Sequence, residues 1–226
     1  MPQPALKIAL IGATGRLGAA LARRLAKARC QVILGSRDAA RAREAADALA
    51  AETGMPIGSG GNAEAAAGAD VIIVTVPFAA QRATLQEIAP AAAGKIVVDT
   101  TVPLVPPKVM RAQLPVEGSA AQVAQLILGP GTRVVSSFHN VAAHKLATDE
   151  PIDCDVLVFG DDREAREVVV GIAESCDLRG LHAGPLANSA AAEALTSALI
   201  FINKTYGVDG AGIRITGRMT LRAPPG

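Results

Sequence analysis

An apolar run, Leu6-Lys7-Ile8-Ala9-Leu10-Ile11, passes without a break into Gly12-Ala13-Thr14-Gly15-Arg16-Leu17-Gly18, and an amphipathic stretch follows. A strand that ends in a glycine turn and continues as a helix leaves few alternatives. It exposes bare backbone at one point and aims the positive end of the helix at that point, which suits a pyrophosphate. The spacing is Gly-x-x-Gly-x-x-Gly rather than the commoner Gly-x-Gly-x-x-Gly, and glycine is abundant here. Position decides: a glycine turn between strand and helix at the head of an α/β pattern reads as a dinucleotide site. The candidate cofactor residues of the turn are Gly12, Thr14, Gly15, Arg16, Leu17 and Gly18. Thr14 offers both hydroxyl and amide to phosphate oxygens.

A second apolar run, Val32-Ile33-Leu34, ends in Gly35-Ser36-Arg37. Folds that bind NAD place an Asp or Glu near the end of this strand, where it takes the ribose 2′-hydroxyl. Here that place holds a hydroxyl and a guanidinium, which suit a 2′-phosphate. Ser36 also fits a helix N-cap, and the two roles are compatible because a cap position is itself an anion site. Arg41, one turn into the next helix, reaches the same point. Ser36, Arg37 and Arg41 thus point to NADP(H) rather than NAD(H).

Alternating elements place this start within an α/β fold: a doubly wound, Rossmann-type parallel sheet with a small C-terminal α/β extension. Strands are expected at Leu6–Gly12, Val32–Leu34, Val71–Val76, Ile96–Asp99, Val134–Phe138, Asp155–Phe159 and Arg179–His182. Helices are expected at Leu17–Ala28, Asp38–Glu52, from Ser119 to Leu128, Arg163–Cys176 and Ser189–Tyr206. Gly58-Ser59-Gly60-Gly61-Asn62 reads as a loop, and Val102-Pro103-Leu104-Val105-Pro106-Pro107 as a second loop, too rich in proline for a helix or central strand. Gly207, Gly210 and Gly212 make the tail irregular, with disorder expected at Arg222–Gly226. A boundary near Ser136 divides residues 1–136, a cofactor-binding domain, from 137–226, a smaller substrate-side region.

Composition removes several classes. The 226 residues carry a net charge of +1, which gives no electrostatic reason to expect nucleic acid or an anionic membrane as partner. No run of about 18 apolar residues suggests a membrane span, and the first residues show no export signal. Cys30, Cys154 and Cys176 are odd in number and lack Cys-x-x-Cys spacing, which fits thiols in a reducing cytoplasm. The three histidines have no ligand spacing with Cys, Asp or Glu, so no metal site is expected.

Two further segments carry candidate chemistry. Thr75-Val76-Pro77-Phe78 closes a strand at the carboxyl edge of the sheet, where ligands of open α/β sheets bind. Phe78 there could cover a base or nicotinamide ring, or simply fill the core. His139 follows the apolar run Val134–Phe138, and a lone histidine at a strand end serves packing as readily as catalysis. A short-chain dehydrogenase needs Tyr four residues before Lys, but Tyr206 has Gly210 there. The last helix offers only Lys204 as a catalytic lysine, at its very end, and no Gly-x-Ser-x-Gly elbow supplies a nucleophile. What remains is a nicotinamide site without an evident acid–base group, which is enough for hydride transfer between two rings.

Taken together, these segments resemble the family of NADPH-dependent coenzyme F420 reductases, also called F420-dependent NADP oxidoreductases. The matching stretches are Ile8–Gly18, Gly35–Arg37, Val76–Phe78, Val134–His139, Val158–Asp162, Ala183–Ser189 and Glu193–Thr196, in the same order across nearly the whole chain. The resemblance implies NADP contacts at Thr14, Ser36, Arg37 and Arg41, with Val76, Pro77 and Phe78 along the nicotinamide. It places His139 and Val141 where a deazaflavin stacks on that ring, His139 as the group that polarises the acceptor and Val141 as an apolar spacer. It also implies a homodimer. The expected reaction is hydride transfer between NADP(H) and coenzyme F420. Reduction of a flavin or another acceptor, and a non-enzymatic NADP(H)-binding redox sensor, stay open at this point.

Overall fold

The computed structural model describes residues 6–220, so the tail expected to be disordered lies outside the described residues. In chain order the elements are β1 (Lys7–Ile11), α1 (Arg16–Lys27), β2 (Gln31–Ser36), α2 (Ala39–Thr53), β3 (Ile57–Gly61), α3 (Asn62–Ala67), β4 (Val71–Val74) and α4 (Phe78–Ala92). They continue as β5 (Ile96–Asp99), α5 (Ala120–Leu128), β6 (Arg133–Ser136), α6 (Ala143–Leu146), β7 (Asp155–Gly160), α7 (Arg163–Ser175), β8 (Arg179–His182) and α8 (Ser189–Tyr206).

The strands form one sheet in the order β3-β2-β1-β4-β5-β6-β7-β8. The first six run parallel, β7 pairs antiparallel with β6, and β8 runs parallel to β7. Because successive side chains of a strand point to opposite faces, a sheet covered on both sides needs apolar residues at every position. β1 shows how this works: Ile8 and Leu10 join one buried cluster with Leu21 and Leu25 of α1, whereas Ala9 and Ile11 join another with Leu85 and Ile88 of α4. α1, α2 and α7 thus cover one face, and α3, α4 and α5 the other.

Several sequence expectations change, among them the strand expected to reach Val76, which ends at Val74 before Phe78 opens α4. Residues 57–61 form the edge strand β3 and not a loop, in register with β2 from Val32↔Ile57 to Ser36↔Gly61. Backbone hydrogen bonds suffice for a strand, and glycines cost it only propensity. Asn62, the end of that supposed loop, opens α3. The strand expected to reach Phe138 stops at Ser136, because Phe138 takes a left-handed backbone (φ 64°) that no strand continues through.

The tail after α8 is irregular as expected, yet it is fastened. The buried Asp155 carboxylate accepts from Arg179 Nε and Nη2, at 2.6 Å each, and from the Ile215 amide at 2.6 Å.

Candidate functional site

The carboxyl ends of β1, β2 and β4 surround a cleft of about 270 Å³. Its floor is the turn between β1 and α1. Gly12 has φ 83°, and a Cβ there would stand 2.7 Å from Val76 Cγ1, so only glycine fits. Gly18 is buried, and a Cβ on it would meet Thr75 Oγ1 at 2.5 Å and Gly12 O at 2.8 Å. The third glycine therefore allows α1 to sit against β4. Helix α1 begins after Gly15 with no side-chain cap and no acid in its first turn. Its first amides, those of Arg16, Leu17 and Gly18, are left available to an anion.

The second wall comes from β2 and α2. Ser36 is buried at the end of β2, and its Oγ accepts from the Asp38 amide at 3.2 Å. The cap of α2 is Asp38, not Ser36: its carboxylate accepts from Ala40 N at 3.0 Å and Arg41 N at 3.3 Å. That occupies the one acid at this wall. Arg37 and Arg41 stand exposed along the cleft, and Arg41 lies 3.6 Å from Asp38.

Of the sequence-derived candidates, Gly12, Thr14, Gly15, Ser36, Arg37, Arg41, Val76 and Pro77 line this one cleft. Arg16 points its side chain elsewhere, into a groove between α1, α2 and α6 that it shares with His144. Leu17 packs against the core, and Gly18 lies behind the turn. Phe78 is half-buried as the first residue of α4 and does not line the cleft. Thr75, in the segment already read as the edge of the crevice, lines it as well, and so do Asn62, Ala80 and Thr84, although nothing in the sequence marks these three as cofactor residues. Their places depend on β3 and on the packing of α3 against α4, neither of which periodicity reveals.

His139 and Val141 lie outside this cleft, beyond β6, at the same carboxyl edge two strands along from β4. The left-handed turn at Phe138 folds the chain back, so that His139 Nε2 stands 3.0 Å from Ser136 Oγ. Its carbonyl accepts from Thr196 Oγ1 of α8 at 3.2 Å. Burial pushes the imidazole down to about 4, so it is neutral near pH 7. Such a ring offers a hydrogen bond without a charge. Val141 is also buried.

Between these two regions a buried polar group joins four elements. Asp99, at the end of β5, accepts from the Thr101 amide at 2.9 Å and from Gln81 of α4, which also donates to Ala120 O at 2.9 Å. Glu193 of α8 accepts from the first amides of α5, Ala120 N at 2.7 Å and Ala121 N at 3.2 Å. Burial pushes Asp99 up to about 6 and Glu193 up to about 7, each held back in part by its hydrogen bonds. Among the described residues no group of three or more His, Cys, Asp or Glu could hold a metal.

The family model described as "NADP oxidoreductase coenzyme F420-dependent" matches residues 7–103. The F420-dependent NADP reductase of Methanothermobacter thermautotrophicus is 41% identical over 220 residues, which are 93% of this chain and 95% of that protein. The chain belongs to the F420-dependent NADP oxidoreductase family. A second family member, the F420-dependent NADP reductase of Methanocaldococcus jannaschii, is 39% identical over 93% of this chain and 98% of its own. A crystal structure from Arthrobacter sp. FB24, of a candidate F420-dependent NADP-reductase, superposes with a TM-score of 0.80 at 24% identity. It covers 94% of this chain and 100% of its own, so the likeness in fold extends over nearly the whole chain.

Proposed function

We propose that the chain exchanges a hydride between NADP(H) and the deazaflavin coenzyme F420. The observation that carries this reading is the single cleft that joins the Gly12–Gly15 turn to Ser36, Arg37 and Arg41, on a chain 41% identical to an F420-dependent NADP reductase. The donors fit a dinucleotide phosphate. Uncapped α1 amides face the pyrophosphate, and two guanidiniums with a hydroxyl face the 2′-phosphate.

With the adenosine end fixed beside β2, the nicotinamide extends along the carboxyl edge past Val76, Pro77 and Phe78 of the β4 end. His139 and Val141 then receive the acceptor ring beside β6. In the reaction one hydride leaves nicotinamide C4 and bonds to deazaflavin C5, so no side chain has to take or give a proton at carbon. What the protein supplies is ring-to-ring placement and the exclusion of water, which accounts for most of the rate. His139, neutral and held by Ser136, contributes a hydrogen bond to the acceptor ring; Val141 contributes an apolar surface.

Residues 1–136 serve as the NADP-binding unit and 137–226 as the substrate side. The molecule acts as a homodimer in the cytoplasm. The dimer reading is supported by α8, which exposes Phe201 (52%), Ile202 (36%) and Tyr206 (76%) along its second half. The cytoplasmic reading is supported by three free thiols, and no described helix is long and apolar enough to cross a membrane.

The test is anaerobic oxidation of NADPH with F420, FMN, FAD or no acceptor. Fast oxidation with F420 alone is expected. Faster oxidation with either flavin would replace the acceptor, and tight NADPH binding with no oxidation would favour a sensor.

A further inference from the structure

Asn62 opens α3 and lines the cofactor cleft, yet it is only 2% exposed. Its Nδ2 donates to Glu87 Oε2 of α4 at 3.0 Å. Its Oδ1 is buried and has no hydrogen-bond partner. Glu87 sets the amide orientation: a flipped amide would turn Oδ1 toward a carboxylate oxygen, with no proton between two acceptors. The carbonyl is thus held in one direction, at the wall of a ligand cleft, with its own bond unmade. Buried acceptors normally have a partner, and one left open at a binding site calls for a donor on the ligand.

The charge around the cleft narrows the donor. Arg37 and Arg41 suit a phosphate, but phosphate oxygens only accept and cannot satisfy a carbonyl. The adenosine half of NADP(H) offers two donors, the exocyclic amine of adenine and the ribose 3′-hydroxyl. We propose that Asn62 recognises the adenosine half of NADP(H) by accepting a hydrogen bond through Oδ1, and that Glu87 is the positioning residue that aims it. This rests on the cleft being the dinucleotide site. It adds a contact that reads the nucleoside, where Ser36, Arg37 and Arg41 read only the phosphate.

The test compares Asn62→Ala and Glu87→Gln with the wild type, using NADPH, its hypoxanthine analogue, its 3′-deoxy analogue, and reduced nicotinamide mononucleotide, which has no adenosine. Asn62→Ala is expected to weaken NADPH binding about three- to tenfold, the span of one neutral hydrogen bond. Turnover with the mononucleotide should stay within about twofold of wild type, a split that a general packing defect would not produce. Wild type should bind one analogue more weakly than NADPH, and Asn62→Ala should lose that discrimination. The hypoxanthine analogue identifies the amine as donor, the 3′-deoxy analogue the hydroxyl. Glu87→Gln keeps Asn62 but pairs with its amide in either orientation, so Oδ1 is no longer held toward the cleft and the same pattern should appear more weakly.

Unchanged NADPH affinity in both variants would overturn the proposal, as would equal losses for NADPH and both analogues. Wild type that failed to bind NADPH at all would instead remove the dinucleotide reading, and the proposal with it.

Discussion

Gly18 and Thr75 lie so close that a Cβ on the glycine would stand 2.5 Å from Thr75 Oγ1. Gly12 O at 2.8 Å and Ala13 Cα at 2.9 Å close the same space from the other side. Gly18→Ala is therefore expected to push α1 away from the turn and to cost about 1–3 kcal/mol, as overpacking does. Thr75→Ala in the same chain should not rescue it, since the backbone contacts remain. Denaturant midpoints of the single and double variants check this, and full recovery in the double variant would show that Thr75 alone sets the limit.

The proposed preference for a phosphorylated cofactor rests on Arg37. A hydrogen bond to a charged group is worth about 1.5–3 kcal/mol, so Arg37→Ala should weaken NADPH roughly ten- to a hundredfold. Arg37 is exposed beside the cleft and supports no buried contact, so NADH affinity should change little. Titration with both cofactors decides. Equal losses would assign Arg37 to folding.

His139, on the proposed acceptor side, gives the fold a pH dependence. Its folded value of about 4 lies below the ordinary 6.5, so the unfolded chain takes up a proton that the folded chain refuses. The contribution of a neutral His139 is fully present above about pH 6.5 and is lost as pH falls toward 4. Relative to His139→Gln, which does not titrate, wild type should lose on the order of 3 kcal/mol of stability across that window, and the difference should be flat above pH 7. Urea unfolding at several pH values reads this directly. The same histidine, replaced by alanine, should leave NADPH affinity within about a few-fold but slow single-turnover hydride transfer by roughly ten- to a thousandfold. A loss confined to NADPH binding would return His139 to a packing role.

The sheet and the cofactor turn are legible in the sequence because they are written in apolar runs and glycine spacing. Ile8 to Gly18 and Val32 to Arg37 each occur where the fold needs them. β3 is not legible, since Ile-Gly-Ser-Gly-Gly has the composition of a loop and becomes a strand only by pairing with β2. With β3 hidden, Asn62 had no visible reason to stand at the cleft. The Phe138 turn is hidden for another reason: a buried aromatic residue at positive φ contradicts local preference, and tertiary contacts enforce it. Glu193 capping α5 from 73 residues away likewise leaves no local pattern. The antiparallel β7 is invisible too, because apolar periodicity does not report strand direction.

Direct transfer between two stacked rings, with no protein proton donor at carbon, is the central claim. The measurement that tests it most directly is single-turnover reduction of F420 by NADPH carrying deuterium at the transferable C4 position, followed by analysis of the reduced deazaflavin at C5. Full retention of the label at C5 in ordinary water, with a primary isotope effect on the transfer step, is the expected result. Label lost to solvent, or reduced deazaflavin that carries only solvent hydrogen at C5, would contradict it.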